Sequence, residues 1–280
     1  MKVKYLGTGA AERVPAIFCK CHVCQYARQH QGKEIRTQMQ TVLDDGELLI
    51  DFPGDSYLHQ LQHQMDFNAI EYLLVTHWHS DHFYGEDLAL RISGYGQNLD
   101  EVLHVYGSAY VKQFYDRAFK LEGRFDESRL VYHTIRPYQE VEIGNYSVYP
   151  IPGQHGNFEE DCLIFSITNK KDGKTLFYTH DSGMPNTRDL MFLAEKNLSF
   201  DLVSLDCTGQ GLENSGSVHM SLKQNVILIE KMKELNLVHE KTVYVASHFS
   251  HNGGLNYEAM KQLSEAQNVI TSYDGMEIEC

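Results

Sequence analysis

With 280 residues, 42% hydrophobic and 22% charged, the chain carries the apolar material of an ordinary core and suits a single α/β domain over 1–280. No stretch approaches the roughly 20 apolar residues that cross a bilayer, and the opening Met1 to Gly9 reaches glycine too early for a secretory segment, so a cytoplasmic chain with no membrane partner is expected. The net charge of −14, from 24 Lys and Arg against 38 Asp and Glu, opposes a broad nucleic-acid surface but leaves room for a small anion held by metal.

Val3 to Leu6 reads as a strand running into Gly7-Thr8-Gly9. Thr41 to Leu43 and Glu47 to Asp51 read as a hairpin around Asp44-Asp45-Gly46, since Asp-Gly suits a tight turn. Asp55 to Met65 reads as a helix, and the apolar, partly β-branched run Ile70 to Thr76 as a buried strand that delivers His77 at its end. A helix over Glu86 to Ile92, a strand over Val102 to Tyr106 and a helix over Ala109 to Phe119 follow. Strands are expected at Val131 to Ile135, Val141 to Ile143, Tyr146 to Ile151, Cys162 to Thr168 and Thr175 to Thr179. Helices and strands then alternate: helix Thr187 to Lys196, strand Leu202 to Asp206, helix Ser221 to Leu235, strand Val243 to Ser247, helix Tyr257 to Ala266. Strands first and mixed units later suggest two sheets face to face with helices outside.

The densest chemistry lies in His77-Trp78-His79-Ser80-Asp81-His82, directly after a predicted strand. Neutral imidazoles and a carboxylate so close together suit Zn, Mn or Fe, against the alternative of a histidine-rich surface loop. His155, Asp181 and His248 each fall just past another predicted strand. Ligand-type residues recurring at rigid strand ends are how a precise site is built.

The pattern His-x-His-x-Asp-His, followed by separate His, Asp and His, resembles the metallo-β-lactamase superfamily, and the likeness runs from Gly7-Thr8-Gly9 to His248. It implies an αββα sandwich, two mixed sheets flanked by helices. It also implies two divalent metals, one on His77, His79 and His155, the other on Asp81, His82 and His248, with Asp181 bridging. By formal charge, two divalent ions with two carboxylates and a bridging hydroxide leave a core of about +1, which favours an anion that spans both metals.

Six cysteines are present, and three of them form Cys19-Lys20-Cys21-His22-Val23-Cys24. In a reducing compartment this short loop reads as three ligands of a structural zinc, the fourth coming from elsewhere. His251 is preferred over His22, which sits in too tight a loop to complete a tetrahedron. Unliganded thiols and an iron–sulfur cluster are the alternatives.

Gly7-Thr8-Gly9, Val14-Pro15-Ala16, the three cysteines, His248-x-x-His251 and Asp274-Gly275-Met276-Glu277-Ile278 together look like the PhnP-type phosphodiesterases, phosphoribosyl 1,2-cyclic phosphate phosphodiesterases of phosphonate degradation. The likeness implies hydrolysis of a small cyclic phosphodiester by a metal-bridging hydroxide at Asp81 and Asp181, with His219 assisting the leaving oxygen. His219 as a mere helix-start cap is the plainer alternative. The segments 92–99, 109–129 and 209–216 are where another diester would be selected. The rival readings are a tRNA 3′-processing nuclease and a PqqB-like cofactor-biosynthesis or carrier protein; a homodimer is left open.

Overall fold

The computed structural model describes residues 1–99, 101–122, 125–156 and 162–280. The first sheet is laid down by β1 (Lys2–Gly7), β2 (Gln40–Leu43), β3 (Leu48–Ile50), β4 (Tyr72–Leu74), β5 (Leu103–Gly107) and β6 (Leu130–Thr134). The second comprises β7 (Val141–Ile143), β8 (Tyr146–Pro152), β9 (Leu163–Asn169), β10 (Thr175–Thr179), β11 (Phe200–Asp206), β12 (Val238–Ser247) and β13 (Ile270–Thr271). The last strand, β14 (Met276–Glu279), crosses back to pair antiparallel with β1 at the edge of the first sheet. Both sheets are mixed: β3 to β6 and β10 to β13 pair in parallel, the remaining neighbours antiparallel.

Side chains alternate between faces along each strand. Val3, Tyr5, Leu48 and Leu74 from one sheet meet Val148, Phe165, Leu176 and Tyr178 from the other in the central core. The opposite faces of the same strands bury against helices. Val105 and Leu73 pack under α4 (Ala109–Glu122), while Val203 and Phe177 pack under α5 (Thr187–Glu195), α6 (Leu222–Glu234) and α7 (Tyr257–Glu265). The result is the expected αββα sandwich. No described helix is long and apolar enough to cross a membrane.

The expected elements appear with shifted ends, and three differ in kind. The helix expected over Glu86 to Ile92 is a four-residue helix, Gly85–Leu88, continued by a 3₁₀ turn, Ala89–Arg91. The tighter pitch brings Ala89 and Ile92, three apart, onto one buried side. The hairpin turn at Asp44–Gly46 is also 3₁₀, with Asp44 and Asp45 at positive φ; the Asp44 carboxylate pins it by accepting from the Lys2 amide, Tyr146 and Asn169. The cysteine segment is not wholly a loop: Cys24 lies in the first turn of a helix, His22–His30, whose apolar residues Val23 and Ala27 pack on Val14.

The topology decides where chemistry collects. β3, β4, β8, β10, β11 and β12 all end at one edge of the sandwich, so Asp51, His77, His155, Asp181, Asp206 and His248 leave their strands there. Asp51, Asp181 and His248 take φ of 65°, 50° and 59°. Left-handed backbone at non-glycine residues is costly and concentrates at functional sites.

Candidate active site

Asp181 is buried at the centre of this edge. Its Oδ2 lies 3.1 Å from His77 Nε2, 3.2 Å from His82 Nε2 and 3.3 Å from His155 Nε2. On one side His79 Nδ1 stands 2.9 Å from His77 Nε2 and 3.1 Å from His155 Nε2. On the other, His82 Nε2 lies 3.3 Å from His248 Nε2 and 3.4 Å from Asp81 Oδ2. Three groups of four ligand-type atoms share Asp181: His77–His79–His155–Asp181, Asp81–His82–Asp181–His248 and Asp181–Asp206–His219–His248. Every residue expected in the dinuclear set is brought together.

The outer ring nitrogens explain why the inner ones converge. His82 Nδ1 donates to Asp51 at 2.7 Å, His248 Nδ1 to Thr208 Oγ1 at 2.8 Å, and His155 Nδ1 to the Val218 carbonyl at 3.3 Å. Thr76 Oγ1, itself donating to Asp51, stands 3.1 Å from His77 Nδ1. Protons held outside turn the Nε2 lone pairs inward, where neutral rings repel at these separations. A divalent cation between them relieves the conflict, and Asp181 Oδ1, buried without a hydrogen bond, supplies a spare acceptor. The donor set fits such ions.

In the metal-free chain, protons and carboxylates share the strain. Burial and the His82 ring hold His77 below its ordinary pKa, and burial and His155 do so for His79. Burial opposes charge on His82, but Asp51 and Asp81 outweigh it and raise its pKa. Burial would raise Asp181; His248 and His219 drive it far lower instead. A cation must therefore displace a proton, so its affinity rises with pH.

His219 lies beside this set. Its Nδ1 is 3.2 Å from Asp181 Oδ1 and 3.8 Å from Asp206 Oδ2. Burial disfavours its charge, but the two carboxylates push its pKa up to about 10. Asp206, fully buried, also lies 3.3 Å from His248 Nδ1 and is held down at about 2, burial being outweighed by His219 and His248. These residues open onto a cleft of about 440 Å³ whose far wall includes Glu12, Leu212, Ser250 and Asn252.

Asp51 and Asp206 were not singled out from sequence. Both are buried carboxylates closing a strand, the same signal that marked Asp181, but neither stands in a histidine motif.

The cysteine cluster assembles separately. Cys19, Cys21 and Cys24 converge with His251, whose Nδ1 is 3.6 Å from Cys19 Sγ and 3.4 Å from Cys21 Sγ. His22 turns away, its Nε2 2.9 Å from the Gly254 carbonyl. Backbone amides of Ala16 and Cys21 donate to the sulfurs of Cys24 and Cys19. Burial would raise the Cys21 thiol, but hydrogen bonds from Cys24 and His251 bring it down to about 6. His251 Nε2 faces Glu12 at 3.7 Å, and Glu12 also accepts from Ser250. Three thiols and an imidazole fit a tetrahedral zinc.

The profile of the Beta-lactamase superfamily domain matches residues 47–249, a span that holds all three aspartate–histidine groups. The chain belongs to the β-lactamase superfamily. This is a fold of metal-dependent hydrolases, and it implies divalent metals at the aspartate–histidine edge. Ribonuclease Z of Listeria welshimeri is 23% identical over 158 residues, 56% of this chain and 46% of that protein, so the match spans less than half of the curated relative. Among solved structures, a diphosphatase from the PhnP family is similar over 100% of this chain and 97% of its own, with TM-score 0.74 and 21% identity. Zinc-bound PqqB from Methylobacterium extorquens covers 100% of both chains, with TM-score 0.77 and 17% identity. The short form of human tRNase Z covers 100% of this chain and 99% of its own, with TM-score 0.67 and 19% identity. At these identities the likeness shows the superfamily fold.

Proposed function

We propose that this chain is a dinuclear metal-dependent phosphodiesterase that opens a small cyclic phosphodiester of the phosphoribosyl 1,2-cyclic phosphate type. The observation that carries the reading is the sharing of one buried carboxylate, Asp181, by two imidazole groups, with a third imidazole, His219, on its free oxygen. His77, His79 and His155 would hold one divalent ion (Mn, Zn or Fe), Asp81, His82 and His248 the other, and Asp181 both. Such a pair supplies an acidified water and charge stabilisation for the attacked and departing oxygens.

The chain's own residues orient and protonate. Asp51, Thr208 and the Val218 carbonyl hold three rings by their outer nitrogens. His219 turns Nδ1 toward Asp181 and Asp206 at ion-pair distance, which leaves Nε2 as the nitrogen to meet substrate. Beside the buried Asp206 carboxylate, the His219 imidazole is placed to give a proton to a sugar oxygen as its bond to phosphorus breaks. The thiol–imidazole cluster, with all four donors from protein, would take a structural zinc and no substrate.

Relatives described as a diphosphatase and as ribonucleases support chemistry at phosphorus. The net charge of −14 favours a small substrate over an RNA. Turnover of bis(p-nitrophenyl) phosphate and of ribose 5-phosphate 1,2-cyclic phosphate by metal-loaded protein tests the reading. A protein that holds both catalytic metals and turns over neither would overturn the reading.

A further inference from the structure

A second cleft, of about 510 Å³, adjoins the catalytic one and is lined by Gln154, His155, Asn186, Arg188, Ser217 and Val218, with Tyr138 and Asp189 at its base. His155 lines both clefts. The wall between them is one chain segment: Ser217 and Val218 face the second cleft, and the next residue, His219, faces the first. The two clefts therefore share a wall one residue thick along the chain.

The charge inside this second cleft is arranged for an anion. The Asp189 carboxylate is buried and engaged on both oxygens, accepting from Tyr138 Oη at 2.6 Å and from the Asn186 amide at 3.1 Å. The exposed Arg188 guanidinium lies 5.4 Å from the centre of the Tyr138 ring, and among the described residues no carboxylate comes within ion-pair distance of it. A planar guanidinium steadied on an aromatic face presents a fork of donors matched to phosphate oxygens. The catalytic cleft offers no equivalent: the described residues lining it include Glu12 and Asp81 but no lysine or arginine.

We propose that Arg188 and its cleft bind a second anionic group of the same substrate, a phosphomonoester, while the diester lies across the aspartate–histidine edge. This rests on the phosphodiesterase reading, whose phosphoribosyl substrate carries a terminal phosphate, and assigns the residue that holds it. Arg188 is a specificity-determining residue in this scheme, since it touches substrate but none of the reacting atoms.

Two measurements on the metal-loaded protein test it. The first is the ratio of kcat/KM for ribose 5-phosphate 1,2-cyclic phosphate to that for ribose 1,2-cyclic phosphate without the 5-phosphate. Arg188→Ala is expected to lower the ratio roughly 10–100-fold, the usual range for a charge-assisted bond to phosphate, and Arg188→Lys to lower it less, because it keeps the charge and loses the fork. The second is calorimetric binding of ribose 5-phosphate, which needs no turnover and is expected to weaken by a similar factor in Arg188→Ala. An unchanged ratio, equal losses on both substrates, or ribose 5-phosphate affinity the same in both proteins would overturn the subsite. Failure to turn over any diester, with ribose 5-phosphate still bound through Arg188, would instead overturn the phosphodiesterase reading and leave the subsite standing.

Discussion

Asp181 takes φ 50° at the exit of β10 and His248 takes φ 59° at the exit of β12. Each such residue costs roughly 1–3 kcal/mol of backbone strain, and here the strain aims ligand-type atoms at a common point. Asp181→Asn keeps the shape, removes one negative charge and puts an amide N–H₂ where both proposed metals need an acceptor. Metal analysis should find at least one catalytic ion bound 10–100-fold more weakly, with turnover falling at least as far; normal content and normal turnover would reduce Asp181 to a structural carboxylate. His219→Ala separates acid catalysis from architecture by leaving group. Hydrolysis of a ribose cyclic phosphate should fall roughly 10²–10⁴-fold and that of a p-nitrophenyl diester far less, with metal content retained. Equal losses would remove the general-acid role. The ligand-type residues were legible in the sequence because they cluster as His-x-His-x-Asp-His or stand where a readable strand stops. Asp51, Asp206 and Thr208 were not, because their role is set by ring nitrogens reached only through the fold.

The helix His22–His30 shows why elements were less legible than residues. Its apolar positions Val23 and Ala27 are too few to announce a period, and its start is fixed by the cysteine cluster. Likewise β13 has two residues and exists because β12 offers it an edge. The long runs at β9, β10 and β12 carried their own signal. The cluster joins Cys19, Cys21 and the first turn of this helix to His251, just past β12, so one ion would clamp two elements more than 200 positions apart in the chain. Closing so large a loop restricts the unfolded chain, and zinc binding is coupled to folding. Cys21→Ser should therefore lower zinc content and the midpoint of thermal unfolding, while turnover per folded molecule falls less. Zinc content equal to that of the parent would place the ion elsewhere.

Over the whole molecule, the two ends of the chain are tied together beneath the site. β14 pairs with β1, and just before it Asp274 accepts from Thr8 and Thr37 at 2.6 Å each. From Thr37 the contacts continue through His59 Nε2 at 2.7 Å and from His59 Nδ1 to Gln40 Oε1 at 2.7 Å. The Gln40 amide then donates to the Asp51 carbonyl, and the Asp51 carboxylate holds His82. A neutral His59 donates through Nδ1 alone, to Gln40, so its Nε2 calls on the hydroxyl proton that Thr37 otherwise gives to Asp274. Burial lowers the pKa of His59 to about 3, despite the nearby Asp55 carboxylate. The sign follows from linkage. Between about 3 and the ordinary value near 6.5 the unfolded chain binds this proton and the folded chain does not. The contribution of His59 is thus complete above pH ~6.5 and is lost as pH falls toward 3, by up to about 1.4 kcal/mol per pH unit. Asp274, which burial pushes above its ordinary value, titrates with the opposite sign, so a raw pH profile mixes the two. His59→Gln removes one titration and leaves the other. Urea unfolding of the chelated protein from pH 7 to 4 should show the parent losing stability faster than His59→Gln, with the two curves drawing together as pH falls. Parallel curves over that window would mean that His59 binds its proton in the folded chain as readily as in the unfolded one, and that the chain from Asp274 to Asp51 is indifferent to it.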